Sequence, residues 1–320
     1  MSIWTVTLNP SLDEWIDVEA LRVGALNRAT TFSRYVGGKG INVSRVVREL
    51  GGRTLAVSLA GGPDGQIFAG LLRRLGVPHR LVHVDGLTRN NYKIRSARPA
   101  GLTEINAPGP QVTPRHLRAL ERLLAARTPR PVVVVFSGSL PPGAPHGVYG
   151  RWIRQARARR LLTVLDTSGA AFVQGLRARP WLTKPNRQEA EELLGTTLPT
   201  AARVVQGARD LIRCGAQMAI LSLGAEGAVL VQAGSAEAWW AVPPKVKVVS
   251  AVGAGDSLVA GFVVGWLRTH SLVEAFRLGV ACGTATALTP GTELCHRKDV
   301  RRLVGRVRLR RVSGRFGGRV

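Results

Sequence analysis

Aromatic side chains make up only 5% of this 320-residue chain, cysteines number three, and 20 acidic residues face 45 Lys and Arg. Each shortage excludes something. With so few aromatics, and no basic-aromatic alternation, there is no platform on which nucleic-acid bases would stack. Cys214, Cys282 and Cys295 form no metal knuckle and no even-numbered disulfide framework. They are expected to be buried, reduced thiols. The longest apolar run, near Leu258 to Leu267, falls far short of the ~20 residues that a membrane span needs. The start, Met1-Ser2-Ile3-Trp4-Thr5-Val6, lacks the basic and apolar segments of a signal peptide, so a cytoplasmic protein is expected.

The shortage of acid leaves a net charge of +25. Residues 297–320 carry ten of the basic side chains against one Asp. Such a chain attracts anions, whether phosphorylated metabolites or nucleic acid. Charge alone confers no base specificity. The tail beyond Lys298 reads as a basic helix or a frayed end with a solvated face. It leaves electrostatic contact with nucleic acid open.

What is present is an alternation of short apolar runs and helical patterns. Strands are expected at Ile3–Leu8, Thr54–Ala60, Val132–Phe136, Leu162–Asp166, Met218–Leu223 and Gly227–Val231. Helices are expected near Ile41–Leu50, Gln66–Leu75, Pro114–Ala126, Gly147–Arg159, Gln188–Leu194, Ala201–Arg213, Asp256–Arg268 and Leu272–Leu288. That order predicts an α/β fold with a mostly parallel central sheet, helices on both faces, and ligands at the carboxyl ends of the strands. Residues 12–36 and 88–107 have β-like patterns without a crossover helix, which suggests a small second sheet over the main one.

Three runs carry chemistry. Val252-Gly253-Ala254-Gly255-Asp256-Ser257 leads into an apolar-periodic helix. Its free first-turn amides and dipole suit an anion. Asp256 there is either a capping residue or a base that takes a proton from an attacking hydroxyl. Gly37-Gly38-Lys39-Gly40-Ile41-Asn42 also opens a helix, and presents Lys39 to an anion and Asn42 to a sugar hydroxyl, or is merely a glycine-rich turn. Neither the phosphate loop of nucleotide hydrolases nor a dinucleotide fingerprint occurs. Lys184-Pro185-Asn186-Arg187-Gln188-Glu189 opens a third helix. Asn186 and Glu189 are spaced for one face, as a capping box or as a pair holding Mg²⁺ through water.

Lesser features complete the set. Asp13 follows the first strand. Arg89, Asn91 and Lys93 alternate and so share a strand face, where two cations suit a phosphate or a solvated edge. Ser139 follows Val132–Phe136, and Ser222-Leu223-Gly224-Ala225-Glu226-Gly227 follows another strand.

Taken in this order, the motifs resemble the PfkB family of carbohydrate kinases, with the ribokinase-like fold, over about residues 3 to 300. The signatures lie at Gly37–Ser44 and Val252–Phe262, with Asn186-x-x-Glu189 between them. The resemblance implies a kinase domain over 1–300, a lid from about 12–36 and 88–107, and a basic tail over 301–320. It implies Asp256 as base, with an anion hole from the amides of Gly253, Ala254 and Gly255. It implies Mg-ATP, with Asn186 and Glu189 organising the metal through water and Lys184, Ser222, Gly224 and Gly227 along the nucleotide. Asp13, Gly38, Lys39 and Asn42 would grip the sugar, and the lid would make a homodimer.

Within the family, Thr5–Pro10, Arg89-x-Asn91-x-Lys93, Thr103–Asn106, Pro108-Gly109-Pro110 and Leu288-Thr289-Pro290-Gly291-Thr292 look like the 1-phosphofructokinase and tagatose-6-phosphate kinase branch. Ser250-Ala251-Val252, where many members have Asp-Thr, fits that branch. The expected reaction is ATP-dependent phosphorylation of fructose 1-phosphate, with Lys39, Arg89 and Lys93 supplying charge for the sugar phosphate and Ser139 close to the substrate. Tagatose 6-phosphate and fructose 6-phosphate are alternative substrates. A non-catalytic sugar-phosphate sensor, or a nucleic-acid-associated protein, is the reading from a different class.

Overall fold

A computed structural model describes residues 2–125 and 131–313. Two sheets organise it. The strands are β1 (Ser2–Thr7), β2 (Ser11–Val18), β3 (Ala29–Gly37), β4 (Arg53–Ala60), β5 (His79–His83), β6 (Arg89–Ala97), β7 (Ala100–Asn106), β8 (Val133–Ser137), β9 (Leu162–Asp166), β10 (Leu182–Thr183), β11 (Met218–Ser222), β12 (Ala228–Gln232), β13 (Glu237–Val242) and β14 (Arg308–Ser313). The helices are α1 (Lys39–Glu49), α2 (Gly62–Arg74), α3 (Pro114–Ala125), α4 (Val148–Ala158), α5 (Gly169–Leu176), α6 (Arg187–Leu194), α7 (Ala201–Arg213), α8 (Ala254–Thr269), α9 (Leu272–Thr286) and α10 (Arg297–Val304).

The main sheet has ten strands in the order β14-β13-β12-β11-β10-β9-β8-β1-β4-β5. From β5 to β11 every pairing is parallel; β11 through β14 pair antiparallel. The central strands are apolar on both sides because helices cover both faces. One core layer holds Trp4, Phe136, Tyr149, Trp152 and Phe172. The other holds Val133, Val135, Ile220, Phe262 and Phe276. On that second face α8 and α9 pack closely: a Cβ on Gly261 would lie 2.7 Å from Cys282 Sγ and 2.9 Å from Gly279 Cα.

The lid is a separate four-stranded sheet, β3-β2-β6-β7. Leu12 and Val36 anchor its back to Ile41, Ala56 and Phe68. Its register sets Asp13 beside Asn91 and Trp15 beside Lys93, so one face carries the predicted polar set.

The structure departs from expectation at the edges. β5, β10, β13 and β14, and helix α5, are additional elements, while α10 is the basic helix that is one of the two readings of the tail. The tail is no frayed end in its described part. Residues 308–313 form β14, which closes the edge of the main sheet against β13. The guanidinium of Arg310 lies 5.2 Å from the Trp240 ring centroid, and Arg311 pairs with Glu237. The boundary expected at 300/301 therefore falls inside α10. Residues 314–320, and the last expected position of the third helix, Ala126, lie outside the described residues. Cys282 and Cys295 are buried as expected, but Cys214, just beyond α7, is exposed. Among the described residues no helix is long and apolar enough to cross a membrane.

Candidate active site

The site gathers at the carboxyl ends of β1, β8, β9 and β10, where the first turns of α1 and α8 converge. α1 reaches it through Gly38, whose φ of 117° and ψ of 129° favour glycine. A Cβ there would also lie 2.9 Å from Thr7 Cγ2 at the end of β1. α8 begins after Gly253, in the left-handed region at φ 79°.

These two starts bring Asn42 and Asp256 together. Asn42 Nδ2 donates to Asp256 Oδ2 at 2.8 Å, with both residues buried. Burial, and next the Asp166 charge, push the Asp256 pKa up to about 6, against the pull of Lys39, the Asn42 hydrogen bond and Lys184. A carboxyl so poised suits a general base near neutral pH.

The amides at the α8 start divide. The N–H of Ala254 donates to Ala251 O at 3.2 Å, which corrects the expectation that it is a free member of an anion hole. Those of Gly253 and Gly255 donate to no described residue. Lys184 stands over this turn: a Cβ on Gly255 would meet its Nζ at 3.0 Å.

Lys39 turns away from the lid. Its Nζ lies 3.0 Å from Asp166 Oδ1 and 3.4 Å from Glu189 Oε1. Burial pulls its pKa down, but Asp166, Glu189 and Asp256 more than reverse this, so the ammonium stays charged. Lys184 Nζ lies 3.8 Å from the same Asp166 oxygen. Together the two cations outweigh burial and hold the Asp166 carboxyl below its ordinary range.

Asp166 is the site residue that sequence reasoning missed. It ends β9, is 1% exposed, and leaves Oδ2 buried without a partner. A single acid closing an apolar parallel strand at its carboxyl end was the available signal.

Asn186 and Glu189 form the capping box. Asn186 Oδ1 accepts from Glu189 N at 2.8 Å, and Glu189 Oε2 accepts from Asn186 N at 2.9 Å. Glu189 Oε1 remains turned toward Lys39, so the cap and a role in the cleft coexist. Among the described residues no three His, Cys, Asp or Glu are grouped as a metal site. Asp166 and Glu189 offer oxygen donors, one of them orphaned. That fits a hard cation held largely by water and phosphate oxygens.

At the end of β11, Ser222 bridges to Asn186, and its N–H donates to Pro185 O at 3.0 Å. Gly224 opens a short turn at φ 60°. Gly227, at φ 100°, has another reason to be glycine: a Cβ there would overlap the Ala241 carbonyl oxygen.

At the lid, Asp13 accepts from Ser11 Oγ at 2.8 Å and Asn91 Nδ2 at 3.4 Å. Burial raises its pKa; Lys93, both hydrogen bonds and Arg89 oppose this. Arg89 Nη2 donates to Asn9 O at 3.0 Å and Nη1 to Ala107 O at 2.9 Å. Lys93 Nζ pairs with Glu104 Oε2 at 2.8 Å. Ser139 is exposed and accepts from Asn9 Nδ2 at 3.3 Å. Arg89 and Lys93 thus share the Asp13 neighbourhood, while Lys39 belongs to the Asp166 cluster, apart from the grouping of three cations expected from sequence.

A poised carboxylate at a helix mouth, cations beside it and a polar lid define a kinase of small hydroxylated substrates. A family model described as pfkB family carbohydrate kinase matches residues 6–299, and the chain belongs to that family. It is 36% identical over 311 residues to the 1-phosphofructokinase of Bacillus subtilis, covering 97% of this chain and all of the relative. It is also 36% identical over 301 residues to the ATP-dependent 6-phosphofructokinase isozyme 2 of Mycobacterium tuberculosis, covering 94% of this chain and 88% of the relative. Among solved structures, phosphofructokinase-2 from Escherichia coli in complex with substrates and products superposes with a TM-score of 0.89 at 32% identity, covering 96% and 99% of the two chains.

Proposed function

We propose that the protein transfers the γ-phosphoryl group of ATP to a free hydroxyl of fructose 1-phosphate, giving fructose 1,6-bisphosphate and ADP. The observation that carries this reading is Asp256, buried and held at 2.8 Å by Asn42 at the start of α8. In its ionised form it accepts the hydroxyl proton as the oxygen bonds to phosphorus and the bond to the ADP oxygen breaks. The Gly253 and Gly255 amides, the α8 dipole and Lys184 face the charge on the migrating group.

Arg89 and Lys93 near Asp13 receive the phosphate that the sugar already carries. Asp13 and Asn42 hold its hydroxyls, with Gly38 and Ser139 bordering it. Ser222, Gly224 and Gly227 run beside the nucleotide. Mg²⁺, when bound, neutralises phosphate charge. Asp166, Asn186 and Glu189 would orient its waters, and Lys39 holds the two carboxylates in place.

Exposed Phe32, Tyr92 and Ile105 on the back of the lid support pairing of two lids in a homodimer. Use of ATP as phosphoryl donor supports a cytoplasmic setting.

Fructose 6-phosphate is the second reading, favoured by the equal identity to the Mycobacterium tuberculosis relative. Steady-state kinetics with fructose 1-phosphate, fructose 6-phosphate and tagatose 6-phosphate side by side decide between them. The highest kcat/KM is expected for fructose 1-phosphate. No turnover of any of the three would overturn the proposal.

A further inference from the structure

Asn42 faces Asp256 with its nitrogen, and something must keep that amide from turning over. The two ends of an amide are nearly equal in shape and opposite in hydrogen bonding. Turned over, Asn42 would aim its oxygen at the Asp256 carboxylate.

Arg45, one helical turn further along α1, lies on the same side as Asn42. Its Nη1 donates to Asn42 Oδ1 at 3.3 Å and to the carbonyl of Thr292 at 3.2 Å. A guanidinium has donors and no acceptor. Only the amide oxygen can therefore face Arg45, and the nitrogen is left for Asp256. In the opposite orientation both contacts fail together, donor against donor and acceptor against acceptor.

We infer that Arg45 is a positioning residue for the phosphoryl-transfer step, fixing the Asn42 amide so that its N–H engages Asp256. The inference rests on the assignment of Asp256 as base and adds a residue to it. Arg45 touches neither Asp256 nor the expected position of the migrating group. Its second contact explains part of the Leu288-Thr289-Pro290-Gly291-Thr292 run. The Thr292 carbonyl ends a segment that also meets the lid, since Gly291 lies under the Tyr35 ring and a Cβ there would stand 3.3 Å from Tyr35 Oη. Glu293, Asp13 and Tyr35 are the charged and titratable groups that oppose the effect of burial on Arg45. The guanidinium is thus placed between α1, the lid root and the segment before α10, so one side chain orients the base's partner and ties down two neighbouring segments.

The groups that face Asp256 come from three places: Asn42 and Lys39 on α1, Asp166 at the end of β9, and Lys184 beyond β10. Of these, Asn42 is the neutral one. Its influence depends wholly on which end of the amide is presented. A freely turning amide would present its oxygen part of the time and favour the protonated carboxyl.

The test is a double-mutant cycle of Arg45→Met and Asn42→Ala, read as kcat, KM and the pH profile of kcat, with thermal unfolding as a check on folding. Arg45→Met alone is expected to lower kcat by about ten- to a hundredfold. The KM for ATP should stay unchanged, and the acid limb of the profile should move to higher pH. In the Asn42→Ala background the same substitution should cost nothing further. Losses that multiply, or an Arg45→Met enzyme with wild-type kcat and pH profile, would overturn the inference. Should Arg45→Met not fold, Arg45→Gln, whose amide offers a donor and an acceptor and so no longer selects one end of Asn42, carries the same test in the same two backgrounds with the same two outcomes. A wild-type protein inactive on every phosphosugar would instead overturn the functional reading.

Discussion

Asn42 Nδ2 and Asp256 Oδ2 are 2.8 Å apart although 214 residues separate them along the chain. Each stands in the first turn of a helix that begins at a glycine. The contact joins the two signature runs into one site.

Replacing Asp256 with Asn keeps the shape and removes the proton acceptor. A loss of kcat of about 10²- to 10⁴-fold is expected in steady-state assays, the range for a general base. Retained turnover would show that another group takes the proton.

Activity should fall with acid. The Asp256 pKa is pushed up to about 6 by burial and Asp166, so the base protonates as pH drops through that value. Stability carries the opposite sign. Between the ordinary aspartate value of 3.8 and about 6, the folded protein holds a proton that the unfolded chain has lost. Asp256 therefore favours folding less and less as pH rises through that window, and its cost is full above about 6. Asp256→Asn should raise stability at pH 7 and leave it unchanged well below pH 4, by about 1–3 kcal/mol at most. Denaturant unfolding at the two pH values measures it. A destabilised variant at pH 7 would contradict the burial argument.

Arg89→Ala should raise KM for the phosphosugar by roughly 10- to 100-fold, the worth of a charged hydrogen bond, with far less effect on KM for ATP. Equal effects on both would place Arg89 outside the sugar-phosphate site.

Gly227→Ala should destabilise the fold by about 2 kcal/mol or more, because the added Cβ meets the Ala241 carbonyl at a left-handed backbone position. The melting temperature reports it. An unchanged value would mean that β12 and β13 move apart without strain.

Truncation after Arg306 removes β14 and exposes the β13 edge with Trp239 and Trp240. A lower melting temperature and easier aggregation are expected by calorimetry and light scattering, since an open edge pairs with other chains. A shortened chain that melts as the full one does would make the strand dispensable.

The parallel sheet was legible in the sequence because Ile3–Leu8, Val132–Phe136, Leu162–Asp166 and Met218–Leu223 are short, mostly apolar runs, as expected of strands covered on both faces. β14 was not, because Arg308-Leu309-Arg310-Arg311 looks like a solvated stretch until Trp240 and Glu237 are seen across from it. β10 is two residues long and leaves no periodicity. The lid was visible in outline, since the alternation of Arg89, Asn91 and Lys93 is a local property of a strand.

By itself the amino-acid sequence determined that the Gly37–Asn42 and Val252–Asp256 runs open helices, though it set their starts two residues late, at Ile41 and Asp256, and it determined the residues offered there, the family, and the strands buried on both faces. Those are local matters of backbone sterics and apolar burial, and local order in the chain suffices for them. Only the tertiary structure decided that Lys39 joins Asp166 and Glu189 and stays apart from Arg89 and Lys93. It alone turned the Asn42 amide toward Asp256 and made an edge strand of the tail. Electrostatic pairing depends on distances of a few ångströms between residues far apart in the chain, and packing sets those distances.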